Sequence, residues 1–177
     1  MAHQRQVPAL VDLLVRAFSD EEFYRWAFPN PVSLAAHFKR SLFDAIQNGL
    51  AYTTSDCLGA AIWERPVDPQ AIMDTPAPAS SDRFRLGAYY LEKERPHTAH
   101  IYLSILATRT TARRRGLGRA FILNPPHLFD QPVPIYLETT KESNIRFYQI
   151  LGFEIIKQIQ IPGGPLLWGL QRPVAVV

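Results

Sequence analysis

Arg113-Arg114-Arg115-Gly116-Leu117-Gly118 is the stretch whose residue types and spacing are suited to chemistry. An apolar run, Ile101 to Ala107, reads as a buried strand before it, and Gly118 to Leu123 reads as the start of a helix after it. Glycines in such a turn let backbone N–H groups converge at a helix N-terminus, which makes an anion site. Arginine adds forked donors that match phosphate oxygens. Five arginines lie between Arg109 and Arg119 in a chain whose formal net charge is only +3, so the basic charge is local and points to one anionic ligand. On charge alone, a solvated basic loop is the simpler reading.

The surrounding pattern supplies elements to position this turn. Leu10, Leu13, Leu14, Ala17 and Phe18 recur at helical spacing, with Pro8 placed for a first turn. Ser33 is expected to cap a second helix whose stripe is Leu34, Phe38, Leu42, Ala45 and Ile46, stopped at Asn48-Gly49. Between them lies an aromatic connection, Phe23 to Pro29. Leu50–Thr54 and Leu58–Glu64 read as a hairpin around Ser55-Asp56. Residues 65–80, rich in Pro, Asp, Ala and Ser, read as a surface loop. Ser81 or Asp82 then caps a helix running to Glu94.

A strand from about Ala99 to Ala107 follows, then the glycine turn and a helix that Pro125-Pro126 must end early. Pro134 to Thr139 reads as a strand with Ile135 and Leu137 on one face and Tyr136 and Glu138 on the other. Lys141 to Leu151 reads as a helix ended by Gly152, and Phe153–Ile161 with Leu166–Gln171 as a long hairpin. This order gives an α+β chain with a mixed sheet, expected to be a single domain over 1–177.

Composition narrows the class. Apolar residues at 47% and charged ones at 20% describe an ordinary globular protein. Cys57 is the only cysteine, so no intramolecular disulfide forms and a reducing compartment, cytoplasmic or nuclear, is expected. No apolar stretch is long enough to cross a bilayer, so no membrane partner is expected. The basic residues form no stripe interleaved with stacking aromatics, which argues against nucleic acid. No acidic run marks a site for a basic peptide.

With these residues in view, the chain resembles the GNAT superfamily of acyl-CoA-dependent N-acetyltransferases. The pyrophosphate signature Gln/Arg-x-x-Gly-x-Gly/Ala is matched by Arg113, Gly116 and Gly118. Downstream, Tyr136-Leu137-Glu138-Thr139-Thr140, Asn144 to Tyr148 and Gly152-Phe153-Glu154 are similar to the segment that follows it in that superfamily. His100 to Leu103 is similar to its preceding strand. The chain departs from the pattern at four places. Only a few polar residues stand where a first strand is usual, Thr108-Arg109-Thr110 replaces Val-x-Pro, Lys141 replaces Asn, and Pro125-Pro126 interrupts the helix.

The resemblance implies a central, mostly antiparallel twisted sheet flanked by helices, with a V-shaped splay between the strands near 101–107 and 134–139. It implies acetyl-CoA as co-substrate and no metal. Backbone N–H groups of Arg113, Arg114, Arg115, Gly116, Leu117, Gly118 and Arg119 would hold the pyrophosphate. Leu106, Ala107 and Thr108 would pair with the pantetheine arm, beside Asn144 and Tyr148. Tyr148 matches the tyrosine that gives a proton to the leaving thiolate. Glu138, His100 and Glu64 are the candidates for the base, with water as a further choice. Phe23, Tyr24, Trp26 and Phe28 border the acceptor site, with Tyr89, Tyr90 and Tyr102 as a further wall, which suits a small amine held by π-faces. A weakly catalytic CoA-binding or interaction module, and a protein or peptide acetyltransferase, are the alternatives. The final hairpin suggests a homodimer by analogy alone.

Overall fold

A computed structural model describes residues 1–65, 76–79 and 81–174 of the chain. Helix α1 (Val7–Phe18) follows a single tight turn at Gln4–Gln6 and buries Val7, Leu10, Leu13 and Leu14. No strand precedes it among the described residues. All that remains of such a strand is one bond, from the Ala2 amide to the Ala51 carbonyl at 2.8 Å. The aromatic connection contains a short helix of its own, α2 (Glu22–Ala27), whose first turn is capped by the Glu21 carboxylate on the Tyr24 amide at 3.3 Å.

Helix α3 (Pro31–Gln47) starts earlier than the expected Ser33 cap. Asn30 fills the cap, accepting from the Val32 amide at 2.8 Å, and Pro31 presets the helical φ behind it. Ser33 instead donates its hydroxyl to the Asn30 carbonyl. The stripe Leu34, Phe38, Leu42 and Ala45 is buried as its spacing requires.

Strands β1 (Ala51–Thr53) and β2 (Gly59–Glu64) form the hairpin. Of the loop read over 65–80, residues 66–75 and 80 lie outside the described residues. Asp82 rather than Ser81 caps α4 (Arg83–Glu94), accepting from the Arg85 amide at 3.1 Å. Strand β3 (Ile101–Thr108), α5 (Leu117–Leu123), β4 (Ile135–Thr139), α6 (Glu142–Ile150), β5 (Glu154–Gln160) and β6 (Leu166–Arg172) complete the order. α5 ends at Leu123, just ahead of the proline pair.

The six strands lie in the order β1-β2-β3-β4-β6-β5. Every neighbouring pair is antiparallel except β3 with β4. That parallel pair is short: Ile101 faces Ile135 and Tyr102 faces Tyr136, and beyond them the strands part. The expected splay is therefore present. On its other side β3 stays paired to β2, with one irregularity that leaves Ser104 without an opposite residue between Leu103 and Ile105.

Helices α1 and α3 bury Leu10, Leu14, Phe38 and Leu42 against Ile62, Ile105 and Leu137 in the main core. Fully burying each such side chain contributes roughly 1.5–3 kcal/mol. A second cluster of Phe23, Leu91, Ile159, Ile161 and Leu167 joins α2 and α4 to the β5–β6 hairpin. Gly87 lets α4 approach α2 closely, since a Cβ there would stand 2.5 Å from Phe23 Cε2. No helix among the described residues is long and apolar enough to cross a membrane.

Candidate active site

The parting of β3 and β4 opens a cavity of about 280 Å³. One wall is Leu103 to Leu106 of β3, and the facing wall is Leu137 to Thr140, with Asn144 and Tyr148 from α6. Because β3 and β4 pair at only two positions, the β3 backbone beyond Tyr102 has no ladder partner on the β4 side. A polar main chain left unpaired along a cleft is a ready partner for an extended, amide-bearing ligand. Of the three residues expected to pair with it, Leu106 lines the cavity. Ala107 is buried in the core, and Thr108 ends the strand opposite Gly59.

Tyr148 and Asn144 sit four residues apart on α6, so both side chains meet the cavity as the spacing predicts. Asn144 is held by its amide donating to Thr139 Oγ1 at 3.4 Å. The Tyr148 ring packs edge-on to Phe153 at 5.7 Å between centroids. Its hydroxyl has no hydrogen-bond partner among the described residues, and burial pushes its pKa up to about 12. The phenol holds its proton through neutral pH, which makes it an acid and not a base.

The three base candidates fall in different settings. Glu138 of β4 lines the cavity, with its side chain only 3% exposed. Burial raises its pKa, and the Arg95 guanidinium, 3.7 Å away, opposes that rise. Neither carboxylate oxygen has a well-formed hydrogen bond. Glu64, about half exposed at the cavity wall, lies 4.0 Å from the same guanidinium. His100 does not reach the cavity. It precedes the paired end of β3, is buried against Tyr136, and shares a hydrogen bond through Nδ1 with the Thr98 carbonyl at 2.8 Å. Burial lowers its pKa, so it is neutral.

Arg95 carries no sequence signal, yet it sits at the centre of this polar cluster. Its guanidinium lies 3.5 Å from the centroid of the Tyr102 ring. Burial disfavours its charge, but Tyr102, Glu138 and Glu64 outweigh that, and it stays ionised. Glu21 is the second residue missed. Its carboxylate accepts from the Thr140 hydroxyl across the cavity while capping α2. With Glu92 of α4, four carboxylates among the described residues border the cavity against one guanidinium. They come from residues 21, 64, 92 and 138, so no acidic run announces them.

The aromatic wall is real but differently composed. Phe23, Tyr24 and Tyr102 line the cavity, joined by Phe84 and His37. His37 stacks on Phe28 at 4.8 Å and meets Phe84 at 4.5 Å, and burial lowers its pKa to about 4. Trp26 turns away, its indole N–H donating to the Gly163 carbonyl at 2.7 Å. Tyr89 and Tyr90 pack on each other and do not line the cavity.

The glycine turn lies at the far end of β3. Gly116 has φ +81° and Arg114 has φ +63°, so two residues in the left-handed region curl the backbone just ahead of α5. The turn is exposed from Arg113 to Gly116 and at Arg119, and half-buried at Leu117 and Gly118. Arg109 is not part of it: its guanidinium pairs with Asp12 of α1 at 3.0 Å and donates to the Ala9 carbonyl at 3.4 Å. Among the described residues, Arg113, Arg114, Arg115 and Arg119 form no salt bridge, so their guanidinium groups can meet an anion. Among the described residues, no group of His, Cys, Asp and Glu is arranged to hold a metal.

A central sheet with one splayed parallel pair, a glycine turn after the first strand of that pair and a tyrosine-bearing helix after the second define a class of acyltransferase folds. No family model matches the chain. Its structure is similar to a histone acetyltransferase HPA2 and related acetyltransferase from Corynebacterium glutamicum, with 27% identity over 99% of this chain and 95% of that one, TM-score 0.65. It is also similar to a mosquito arylalkylamine N-acetyltransferase like 5b, with 15% identity, 98% and 97% coverage and TM-score 0.68. A Drosophila melanogaster polyamine N-acetyltransferase that forms N-acetylagmatine gives 13% identity, 98% coverage of both chains and TM-score 0.67. The chain is a member of the GNAT superfamily and an acyltransferase.

Proposed function

We propose that the protein transfers the acetyl group of acetyl-CoA directly to the amine of a small molecule that binds as its ammonium. The observation that carries this reading is the unpaired cleft between β3 and β4, which runs into a cavity bordered by carboxylates and aromatic rings. The residues present suit the donor. The β3 backbone beyond Tyr102 offers pairing groups to an extended pantetheine arm, with Leu106 on the wall. The Arg113 amide is taken, donating to the Thr110 carbonyl at 3.3 Å, but the amides of residues 114–119 have no main-chain partner among the described residues, and with four guanidinium groups they are offered to phosphates. When bound, acetyl-CoA supplies an activated acetyl thioester.

The chain's own residues account for the remaining requirements. Glu21, Glu64 and Glu92 attract and orient the ammonium, and Tyr24, Phe84 and Tyr102 offer it ring faces. Attack needs the neutral amine, so a proton must leave first. Glu138 is unsuited to take it, being buried and turned to Arg95. His100 is out of reach. Glu64 and Glu21 reach the cavity and accept the proton, directly or through water. Tyr148, which keeps its proton at neutral pH, gives it to the sulfur as the carbon–sulfur bond breaks, and it recovers a proton, directly or through water, from the nitrogen as the amide forms. Positioned acid or base help of this kind is worth about 10²–10⁴ in rate. The fold is shared with acetyltransferases named for arylalkylamines and polyamines, which supports a small amine as acceptor.

The test is calorimetric titration with CoA followed by an acetyl-CoA assay over aromatic amines, diamines and lysine peptides. CoA binding and turnover on a small amine are expected. No CoA binding by the folded protein would refute the donor, and turnover confined to peptides would refute the acceptor.

A further inference from the structure

We infer that Arg95 is a positioning residue that sets the opening of the β3–β4 cleft, holding the two strands at the level where their main-chain pairing stops. Parallel pairing ends at Tyr102 opposite Tyr136. At that level Arg95 meets three neighbouring strands at once. Its guanidinium lies 3.5 Å from the Tyr102 ring centroid on β3, 3.7 Å from Glu138 on β4, and 4.0 Å from Glu64 on β2. Glu64 is itself the register partner of Tyr102. Glu138 is the second residue of β4 past the last paired position, on the arm that swings away.

The Arg95 side chain is 11% exposed and that of Glu138 3%, so their attraction is little screened. Arg95 is also anchored from behind. It caps the C-terminus of α4, which Gly87 seats closely against Phe23 of α2. The opposite side of the cluster is equally fixed: a Cβ at Gly169 of β6 would fall 2.6 Å from the Tyr136 hydroxyl, so only glycine there leaves room for the ring. A splayed pair has no ladder to fix its angle, and a bulky planar cation stacked on one arm and ion-paired to the other supplies that constraint. The effect on turnover rests on the acyltransferase reading; the effect on the strands does not.

Arg95→Met alone would strand the Glu138 charge, so the informative variant is the double exchange Arg95→Met with Glu138→Gln, which removes both charges and keeps the volumes. Residue-resolved amide exchange on the full chain without ligand reads the strands directly. We expect amides of residues 101–103 and 135–137 to exchange about tenfold faster in the folded double variant, with the β5–β6 hairpin unchanged. In acetyl transfer we expect KM for acetyl-CoA to rise about tenfold with a smaller change in kcat. Should the double variant fail to fold, Arg95→Lys, which keeps the charge but not the planar stack, is expected to show the same pattern in weaker form. Exchange unchanged at 101–103 and 135–137, or raised equally throughout the sheet, would overturn the inference. A wild-type protein without acetyl transfer would remove the donor reading and leave the exchange result to decide this one.

Discussion

Replacing His37 by phenylalanine is expected to abolish an acid-induced loss of stability that the wild-type chain suffers between pH 6.5 and 4. His37 is packed among Phe28, Phe84, Tyr24 and Phe38, with ring centroids 4.5–6.1 Å away. Burial first, and the nearby Arg40 second, hold its pKa down to about 4 from 6.5. The folded imidazole therefore binds its proton later than the unfolded one. Its contribution is fully present above pH 6.5 and is lost as the pH falls towards 4. The loss reaches about 1.4 kcal/mol at pH 5.5 and about 2.5 kcal/mol at pH 4.5. Phenylalanine keeps a ring of similar size in the stack and has no charged form. Carboxylates titrate alike in both proteins, so the difference between their urea-unfolding curves at pH 7.5, 5.5 and 4.5 isolates His37. Its gap should widen by those amounts on acidification, or by about 5–10 °C in Tm at pH 4.5. Parallel pH profiles would refute the burial of a neutral imidazole.

Four further outcomes follow from the site. Tyr148→Phe should lower kcat about 10²–10⁴-fold with little change in Tm or CoA affinity, because the hydroxyl has no hydrogen-bond partner among the described residues to strand; unchanged turnover by steady-state kinetics would remove it from the mechanism. Gly118→Leu should raise the Kd for CoA at least about tenfold by calorimetry, since a Cβ there already makes contact with Phe147 at 3.4 Å and Leu106 at 3.8 Å and the further carbons of leucine must displace those side chains or cover the turn; undiminished affinity would count against the turn as the phosphate site. Arg109→Ala should leave CoA affinity unchanged, while Arg113→Ala weakens it and flattens its dependence on salt, because only Arg109 is already paired with Asp12; equal losses in both variants would refute that division. Glu21→Gln and Glu64→Gln should each raise KM for the amine, and the one that accepts the proton should also shift the acid limb of the kcat/KM profile; two flat results would point to water as the base.

The helical stripes, the alternating face of β4 and the glycine turn follow from period, caps and backbone freedom, all local properties. They placed Asn144 and Tyr148 on one face of α6, where both meet the cavity. Local signals erred where two neighbours competed for one role. Asn30 with Pro31 outcompeted Ser33 because the carboxamide reaches the second amide of the helix while proline fixes the backbone behind it. They also failed where a residue's partner lies far away. His100 resembled a proton relay until the paired end of β3 placed it behind Tyr136. Arg109 counted towards the local basic charge until α1 brought Asp12 to it, 97 residues away.

What the sequence by itself determined is thus the order of elements and the glycine turn between β3 and α5, because each depends on contacts within a few residues. The tertiary structure decided which charges line the cavity. Glu21, Glu64, Glu92 and Glu138 meet only when four separate elements converge on one cavity, and Arg95 becomes their countercharge only when α4 ends above the parting strands. Charge–charge energies depend on distance and burial, and neither exists before the chain has folded.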